Sequence, residues 1–254
     1  DINKIDFLES KNWDIFFSKT NLLWNHGNQK INIIHFGGSH IQADVWSNRM
    51  RQHFQNICPY NNSGWGMYFP FRIIGSNGSP YLKTNHTGNW KGSRNSVSNH
   101  SPPFGLMGAR ALLLDSISTI DFWVNKEHCS DCFFDEIEIY YYDSLKNHCI
   151  EIIGDSLESI EESNKLSKIT FKLNFLTDSI RISFQKIDVE GKFELFGLRF
   201  LNQSNGICYH SIGVNGASVP SYLRCEKMDE TLKEISPDLV IFSIGINDAY
   251  EPSF

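Results

Sequence analysis

The chain has 254 residues, of which 41% are hydrophobic and 20% charged, a balance typical of a folded globular protein rather than a disordered one. Its formal net charge of −6, without clustered Lys and Arg, argues against a nucleic-acid partner, because neutralising phosphates requires such clusters. No apolar run approaches the roughly 18 consecutive residues of a membrane-spanning helix.

An apolar strand pattern lies between two helical patterns near the start of the chain. Residues 5–24 carry apolar side chains at helical spacing, which predicts a helix packed on a sheet. Residues 31–35 form a largely β-branched run, typical of a buried parallel strand, and residues 45–54 predict the crossover helix that follows. We expect Arg49 and Arg51 to lie on the solvated face of that helix.

The turn between this strand and this helix reads Phe36-Gly37-Gly38-Ser39-His40. A serine at such a turn has its hydroxyl at the carboxyl edge of the sheet, beside free backbone N–H groups. Ser39 is therefore a candidate nucleophile, although glycine turns also bind phosphate or simply reverse the chain. Neighbouring side chains diverge at such a turn, so we expect His40 to pack or to contact substrate rather than to activate Ser39.

Residues 61–103 lack periodicity and are rich in Gly, Asn, Ser and Pro, which predicts a long loop. This stretch carries Trp65, Tyr68, Phe69 and Trp90 beside several amide side chains. Flat aromatic rings beside amides suit the binding of sugar rings, and they equally suit the packing that holds a long loop in place. Both interpretations stay open.

Residues 109–200 show an all-β pattern. Short runs rich in β-branched and aromatic residues are separated by polar or turn residues, which suggests a β-sandwich. The acidic stretch 158–162 is expected to be a solvated loop rather than a calcium site. The predicted strands are residues 112–124, 133–142, 149–153, 168–176, 179–185 and 192–201.

The six cysteines are Cys58, Cys129, Cys132, Cys149, Cys208 and Cys225. Their even number permits disulfides. The stretch from His128 and Cys129 to Cys132, followed by His148 and Cys149, has some features of a zinc site, because two thiolates three positions apart can share one ion. Adjacent His and Cys residues suit tetrahedral ligation poorly, so we favour a disulfide or buried thiols over metal.

The end of the chain returns to an α/β pattern. Residues 209–217 and 239–243 predict two further strands that end in glycine turns, and residues 219–235 predict a helix with Pro220 near its first turn. The last turn reads Gly245-Ile246-Asn247-Asp248, residue types that also favour plain turns and caps. In an open parallel sheet the three turns can converge, and a serine, a glycine N–H and an Asn amide then form an oxyanion hole.

These three blocks resemble the SGNH (GDSL-type) hydrolase superfamily, whose blocks read Gly-Asp-Ser, a glycine, and Gly-x-Asn-Asp. The first block and the long gap after it resemble most closely the branch of peptidoglycan and carbohydrate O-acetylesterases that carries an inserted β-sandwich. The resemblance covers about half the chain. It implies that Ser39 is the nucleophile and that the Ser39 N–H, the Gly216 N–H and the Asn247 side chain form the oxyanion hole. Three further residues take supporting or substrate-side positions: Gly38, His40 and Asp248.

The same resemblance implies a flavodoxin-like, three-layer α/β fold with a parallel sheet, interrupted by an all-β sandwich of the jelly-roll, carbohydrate-binding-module type. Residues 1–75 would form the first part of the α/β domain with the nucleophile. Residues 76–203 would form a linker loop and the sandwich, and residues 204–254 the second part with the oxyanion-hole blocks. No cofactor and no metal are implied.

The chain departs from the family pattern in two places. Gly38 stands where the family has Asp, which removes a carboxylate near the turn but not the nucleophile. The family's last block, Asp-x-x-His, does not occur after Asn247. Because a serine needs a base to lose its proton, we expect that His and its Asp to come from a further C-terminal segment or from a second polypeptide.

The resemblance implies a serine esterase that deacetylates O-acetylated carbohydrate, such as peptidoglycan or another envelope polysaccharide, in the periplasm or outside the cell. An O-acetyltransferase on the same scaffold is an alternative, because a sugar hydroxyl can replace water as the acyl acceptor. A non-catalytic glycan-binding or envelope protein is the alternative from another class, and both departures favour it.

Overall fold

The computed structural model describes residues 11–57, 63–99, 103–127, 132–154, 157–163, 167–187 and 190–250. The first residues of the helix predicted over 5–24, together with Cys58, His128 and Cys129, lie outside them. No helix in the described ranges is long and apolar enough to cross a bilayer.

The described residues contain five α-helices, two short 3-10 helices and fourteen strands. The helices are α1 (Lys11–His26), α2 (Ser39–Gln42), α3 (Val45–Ile57), α4 (Val219–Tyr222) and α5 (Met228–Ile235), and the 3-10 helices are Phe71–Ile74 and Asp248–Tyr250. The strands are β1 (Lys30–Gly37), β2 (Gly64–Tyr68), β3 (Leu82–His86), β4 (Trp90–Arg94), β5 (Ala109–Leu113), β6 (Ile117–Val124), β7 (Phe134–Asp143), β8 (His148–Ile152), β9 (Leu157–Ser163), β10 (Lys168–Thr177), β11 (Ser179–Lys186), β12 (Phe193–Leu201), β13 (Gly206–Gly213) and β14 (Leu239–Ser243).

A parallel sheet in the order β13-β1-β14 is built from one strand near the start of the described chain and two strands near its end. Helices cover both faces of strand β1, and apolar side chains of the strand pack on each face. Ile33 packs on one face with Leu23 of α1 and residues of α3, while Ile34 on the other face belongs to the cluster that includes Ile235 of α5. The prediction of a mixed α/β fold with a parallel sheet is confirmed.

Two antiparallel sheets occupy the middle of the chain, and we call them together the β-region. The larger sheet has the order β4-β5-β12-β7-β10-β9, with β2 also paired to β12, and the smaller has the order β3-β6-β11-β8. Their aromatic rings share one core: Phe122 of the smaller sheet lies 5.2 Å from Phe200 of the larger, centroid to centroid. The all-β character predicted for residues 109–200 is confirmed, while the jelly-roll type stays a prediction.

The predicted loop over residues 61–103 is wrong, because this stretch contributes β2, β3 and β4. Each of these strands is only five residues long, and β2 carries Gly64 and Gly66 with positive φ, so the usual strand pattern is absent. Trp65 and Tyr68 are buried, which supports packing over sugar binding for these rings.

Three other sequence predictions need correction. The acidic stretch 158–162 is not a loop but part of β9, an edge strand whose carboxylates face solvent and discourage pairing with another chain. The single helix predicted over 219–235 is broken into α4 and α5, and the strand predicted over 112–124 is two strands, β5 and β6.

A buried charge cluster joins the β-region to helix α5. Glu138 on β7 pairs with Lys168 on β10, with 2.7 Å between Oε1 and Nζ, and with Arg199 on β12. Lys168 also pairs with Glu234 of α5, and the Tyr140 hydroxyl lies 2.9 Å from Glu138 Oε2 and 3.2 Å from Glu234 Oε2. Burial raises the pKa of Glu138, but Arg199 and Lys168 more than offset it, so its pKa lies below the ordinary value. The cluster thus fixes an ionised carboxylate against the helix that covers the parallel sheet.

We predict that Glu138→Gln lowers the free energy of unfolding at pH 7 by about 3–5 kcal/mol, because it leaves buried cations without their carboxylate. The measurement is urea unfolding at pH 7 and at acid pH. Because its pKa is depressed on folding, Glu138 stabilises the protein fully above its unfolded pKa of about 4.3 and loses that effect as the pH falls through the folded value. The difference between the two proteins should therefore shrink in acid.

The matched control is Glu230→Gln, which removes the carboxylate of an exposed pair with Lys227, 4.0 Å apart. It should change the free energy of unfolding by less than about 0.5 kcal/mol. Equal losses in both variants would contradict the role given to the buried cluster.

Candidate active site

Ser39 lies at the first position of helix α2, directly after β1 and the cap residue Gly38. The Gly38 carbonyl accepts the N–H groups of Ile41 and Gln42, 3.2 and 3.1 Å away, which turns the chain sharply at the strand end. Ser39 is exposed, and among the described residues neither its N–H nor its hydroxyl has a hydrogen-bond partner. Both groups are therefore free to meet a ligand.

The second and third turns reach the same place because of the strand register. Gly37 at the end of β1 is level with Gly213 of β13 and with Ser243 of β14, so the three strands end together. Asn247 bridges the turns: its Nδ2 donates to the Ala217 carbonyl at 2.8 Å. A Cβ placed on Gly38 would lie 3.2 Å from the same Nδ2. The structure thus brings together the first and third blocks and the residue that follows Gly216.

Gly216 has the geometry of an open N–H donor. Its φ of +79° is a conformation that side chains rarely adopt, and the residue is exposed. No acceptor for its N–H occurs in the described ranges. A Cβ placed on Gly216 would lie 3.7 Å from the Cβ of Ser96, in the loop after β4. A residue of the β-region therefore borders this turn.

Gln42 is a site residue that sequence reasoning missed. It is only 4% exposed, and its amide makes three hydrogen bonds to other segments. Its Oε1 accepts the Asn215 N–H at 2.6 Å, directly before Gly216. Its Nε2 donates to Ser76 Oγ at 2.9 Å and to the Asn77 carbonyl at 2.8 Å. One amide thus holds helix α2, the second turn and the loop after Phe71–Ile74 together.

Asp44 and Arg51 form a buried polar network beneath α2. Asp44 adopts a φ of +59° and accepts hydrogen bonds from Ser47 and Ser79, at 2.7 and 2.8 Å. Arg51 is 0% exposed, so the prediction that it lies on the solvated face is wrong, whereas Arg49 is exposed as predicted. The Arg51 guanidinium pairs with Asp44 at 3.4 Å and lies 4.2 Å from the ring centre of Trp65.

None of the described histidines is bonded to Ser39. His40 is exposed, and its Nε2 lies beside Gly37, 3.2 Å from where a Cβ would stand. His35 on β1 is buried between Tyr209 and Ser243, whose hydroxyls contact its Nδ1 and Nε2, the latter at 2.7 Å. Burial, with a smaller effect of His40, lowers the pKa of His35 to about 4.

His210 on β13 is also engaged. Its Nδ1 accepts the Met67 N–H at 3.1 Å, and its Nε2 lies 3.4 Å from Asn32 Oδ1. Burial lowers its pKa well below the ordinary value, with further lowering by nearby cations that include Arg199. His210 is therefore a neutral structural residue that joins β2 to the parallel sheet.

Asp248 is buried and accepts a hydrogen bond from the first residue of helix α4. Its Oδ1 accepts the Val219 N–H at 2.8 Å, while its Oδ2 is buried without a hydrogen-bond partner in the described part of the chain. This contact ties the third block to the second, since Val219 follows the Gly216 turn by three residues. The structure places Asp248 as a support rather than at the exposed surface beside Ser39.

The described cysteines include both bonded and free residues. Cys132 is disulfide-bonded, whereas Cys149, Cys208 and Cys225 are free thiols and the last two are buried. Within the described ranges, no group of three or more His, Cys, Asp or Glu residues is placed to hold a metal ion.

Comparison with known proteins reveals a likeness in structure but not in sequence. No family model matches the chain, and no curated protein matches it. A solved structure of a peptidoglycan O-acetylesterase is similar, with a TM-score of 0.66 and 16% identity. The match covers 96% of this chain and 63% of that one, so this chain spans less than two thirds of its neighbour. The reeler domain of human F-spondin also matches, over 59% of this chain and 90% of that one at 7% identity, but its TM-score of 0.28 supports no argument.

We predict that Gln42→Met loosens the second turn, because it removes the acceptor of the Asn215 N–H while keeping the side-chain length. Amide hydrogen exchange at Asn215 should accelerate, and the free energy of unfolding should fall by about 1–3 kcal/mol, since buried polar groups lose their partner. NMR-detected exchange and urea unfolding measure the two effects.

Gln185→Met on the exposed part of β11 is the matched control and should change neither quantity appreciably. If Asn215 exchanges at the same rate in the Gln42→Met protein as in the parent, Gln42 does not hold this turn.

Proposed function

We propose that this protein is a serine esterase of the SGNH type that removes acetyl groups from O-acetylated carbohydrate. The observation that carries the proposal is the convergence of Ser39, the Gly216 turn and the Asn247 amide at one edge of a parallel sheet. The structural likeness to a peptidoglycan O-acetylesterase supports an esterase at the level of the fold.

In the proposed reaction the Ser39 hydroxyl oxygen attacks the acetyl carbonyl. The oxyanion accepts hydrogen bonds from the Ser39 N–H, the Gly216 N–H and the second N–H of the Asn247 amide, whose first N–H is used on Ala217. Collapse of this intermediate releases the sugar as an alcohol, which takes up the proton that the general base removed from Ser39, and leaves acetyl-serine, which water then hydrolyses to acetate. Removing one oxyanion donor costs about 10²–10³ in turnover in comparable sites.

The general base of this proposal comes from outside the described residues, on a further segment or a second chain that supplies Asp and His. An open flank beside the site supports this idea. In the described part of the chain no strand pairs with the outer edge of β14, and Phe242 there is 71% exposed. A cavity of about 550 Å³ with purely apolar lining, which includes Phe36, Tyr222 and Phe242, lies along this strand. A parallel sheet is normally covered on both faces, so additional polypeptide is expected there.

Gly38 shapes the proposed site in place of the family's Asp. A side chain at this position would meet the Asn247 amide at 3.2 Å, closer than an ordinary contact. Its absence lets the amide lie directly against the backbone of the first turn. His40 and Asp248 take the substrate-side and supporting positions of the proposal.

The remaining elements of the proposal follow the family resemblance. The substrate would be peptidoglycan or another envelope polysaccharide, and the location periplasmic or extracellular. The chain would comprise an SGNH domain in two parts, 1–75 and 204–254, around an insert of the carbohydrate-binding-module type at 76–203. Because β2 pairs with β12, the second half of the first part would also belong to the larger sheet of the insert.

Two alternatives make different predictions. An O-acetyltransferase would use the same acetyl-serine but pass it to a sugar hydroxyl. A non-catalytic glycan-binding protein is favoured by one specific observation: in the described ranges no imidazole is bonded to the Ser39 hydroxyl. It would bind glycan without turnover.

The test uses the complete polypeptide that the gene encodes. We predict covalent labelling by a fluorophosphonate and release of acetate from an acetylated sugar, both lost in Ser39→Ala. Labelling is followed by intact mass and acetate by an enzymatic assay. Ser179→Ala, at an exposed position of β11, is the matched control and should label normally.

The outcomes separate the candidates. Labelling with transfer of acetyl to an added sugar in place of acetate release indicates the transferase. Saturable glycan binding by a polypeptide that neither labels nor releases acetate overturns the esterase and leaves the binding protein.

A further inference from the structure

Three side chains form hydrogen bonds across all three strands of the parallel sheet, and we call them the three-strand network. The Tyr209 hydroxyl on β13 contacts Nδ1 of His35 on β1, and Nε2 of the same ring lies 2.7 Å from the Ser243 hydroxyl on β14. Tyr209 is level with Ile33 of β1, and Ser243 is level with Gly37. The network therefore runs diagonally towards the edge of the sheet where the three turns begin.

The Tyr209 end of the network is anchored in the core. His35 and Tyr209 are both 0% exposed, and their rings meet edge to face with centroids 6.0 Å apart. Trp46 packs edge-on against His35 at 5.1 Å, and Phe54 of α3 stacks on Tyr209 at 5.9 Å. These contacts on both rings hold the imidazole in one orientation.

The Tyr209 hydroxyl sets the direction of the hydrogen bonds. Its only hydrogen-bond partner among the described residues is His35. A buried O–H without an acceptor is costly, so Tyr209 donates its proton to Nδ1 of His35. Burial raises the pKa of Tyr209 above its ordinary value, so the hydroxyl keeps this proton at neutral pH. Because Nδ1 accepts, the proton of the neutral imidazole is on Nε2.

The same direction continues at Ser243. Burial, with a smaller effect of His40, lowers the pKa of His35 to about 4, so the ring is neutral at pH 7 and carries one N–H. That N–H, on Nε2, donates to the Ser243 hydroxyl oxygen. Ser243 is half-buried, and its hydroxyl has no second partner in the part of the chain that the structure describes. The proton of Ser243 is therefore left for solvent.

Ser243 connects this network to the third turn. It is the last residue of β14, and Asn247 follows it by four residues. Within the described ranges β14 pairs only with β1, so the bond from His35 adds a side-chain tie to a strand end that is otherwise held by backbone pairing on one side. The bond from Asn247 to Ala217 holds the far end of the same turn. Fixing the strand end thus limits how far the Asn247 amide can move.

We propose that His35 is a positioning residue for the third turn: as the Nε2–H tautomer it ties the end of β14 to the buried Tyr209 and so holds the Asn247 amide in place. The network itself does not depend on the proposed esterase, whereas its effect on turnover rests on that function. A neutral hydrogen bond of this kind corresponds to about a threefold to tenfold change in rate. The change should fall on kcat with KM unchanged, because the oxyanion forms only after the substrate has bound.

The first measurement is proton–nitrogen correlation NMR of the His35 ring at pH 7 in the complete polypeptide that the gene encodes. We expect the signals of a neutral ring protonated on Nε2. A ring protonated on Nδ1, or on both nitrogens, overturns the proposal.

The second measurement uses Ser243→Ala, which removes the acceptor of the Nε2–H and leaves His35 and Tyr209 in place. We expect it to shift the side-chain amide signals of Asn247 and to lower kcat for an acetylated sugar about threefold to tenfold at unchanged KM. Ser243→Thr keeps a hydroxyl and should restore both quantities. Ser179→Ala, at an exposed position of β11, is the matched control and should change neither.

The outcomes separate the positioning role from the esterase. A parent polypeptide that releases no acetate overturns the proposed esterase, and the NMR signals of His35 and Asn247 then decide the positioning role alone. That role is overturned if Ser243→Ala leaves the Asn247 signals unchanged, or if an active parent keeps its kcat in this variant. An equal loss of kcat in Ser243→Ala and Ser243→Thr also overturns it, because the hydroxyl is then not what matters.

Discussion

The common end of three parallel strands is the constraint on which the candidate site depends. Pairing in register sets Gly37 of β1 level with Gly213 of β13 and Ser243 of β14. Every turn that leaves these strands therefore starts at one edge of the sheet, although about two hundred residues of chain separate the first turn from the last. No side chain of the site has to be carried there by a long loop, which is why three short blocks suffice to build it.

The strand register alone does not fix the conformation of the turns. Buried polar side chains hold each turn in place. Gly213 has no Cβ, and one would overlap the backbone of Ile41 and Gln42, so helix α2 can lie directly on β13. Gln42 then bonds across to Asn215, and Asp44 with Arg51 holds the start of α3 against β13. These groups are buried and mutually satisfied, so each one specifies a single arrangement of the turn. A rigid turn presents the free Ser39 and Gly216 N–H groups at a constant separation, which is what the proposed oxyanion binding would require.

The sequence predicted those parts whose pattern is local and periodic. Strand β1, helix α3 and most strands after residue 109 follow from apolar spacing, and the contacts of Asn247 with the Gly38 and Ala217 backbone follow from three turns at strand ends. Arg51 was misplaced because a charged residue on an amphipathic helix is normally solvated, and only the tertiary fold brings Asp44 and Trp65 to it. Strands β2 to β4 were missed because each has only five residues, too few for a clear period, and β2 and β4 also contain glycine. Gln42 gave no signal at all, because its partners lie 34 to 173 residues away.

The two functions of the proposed catalytic machinery depend on different parts of the fold. Within the described ranges the outer edge of β14 is unpaired and Phe242 is exposed, yet the turn that follows the strand is fixed by two bonds to the second block. Asn247 donates to the Ala217 carbonyl, and Asp248 accepts the Val219 N–H. The proposed oxyanion donor on Asn247 is thus positioned by contacts inside the described chain, whatever covers β14. Proton transfer has no such internal support, because the described imidazoles are engaged elsewhere or turned to other contacts. Stabilising an oxyanion and deprotonating a serine are therefore separable here, and polypeptide that packs along β14 would control the second without rebuilding the first.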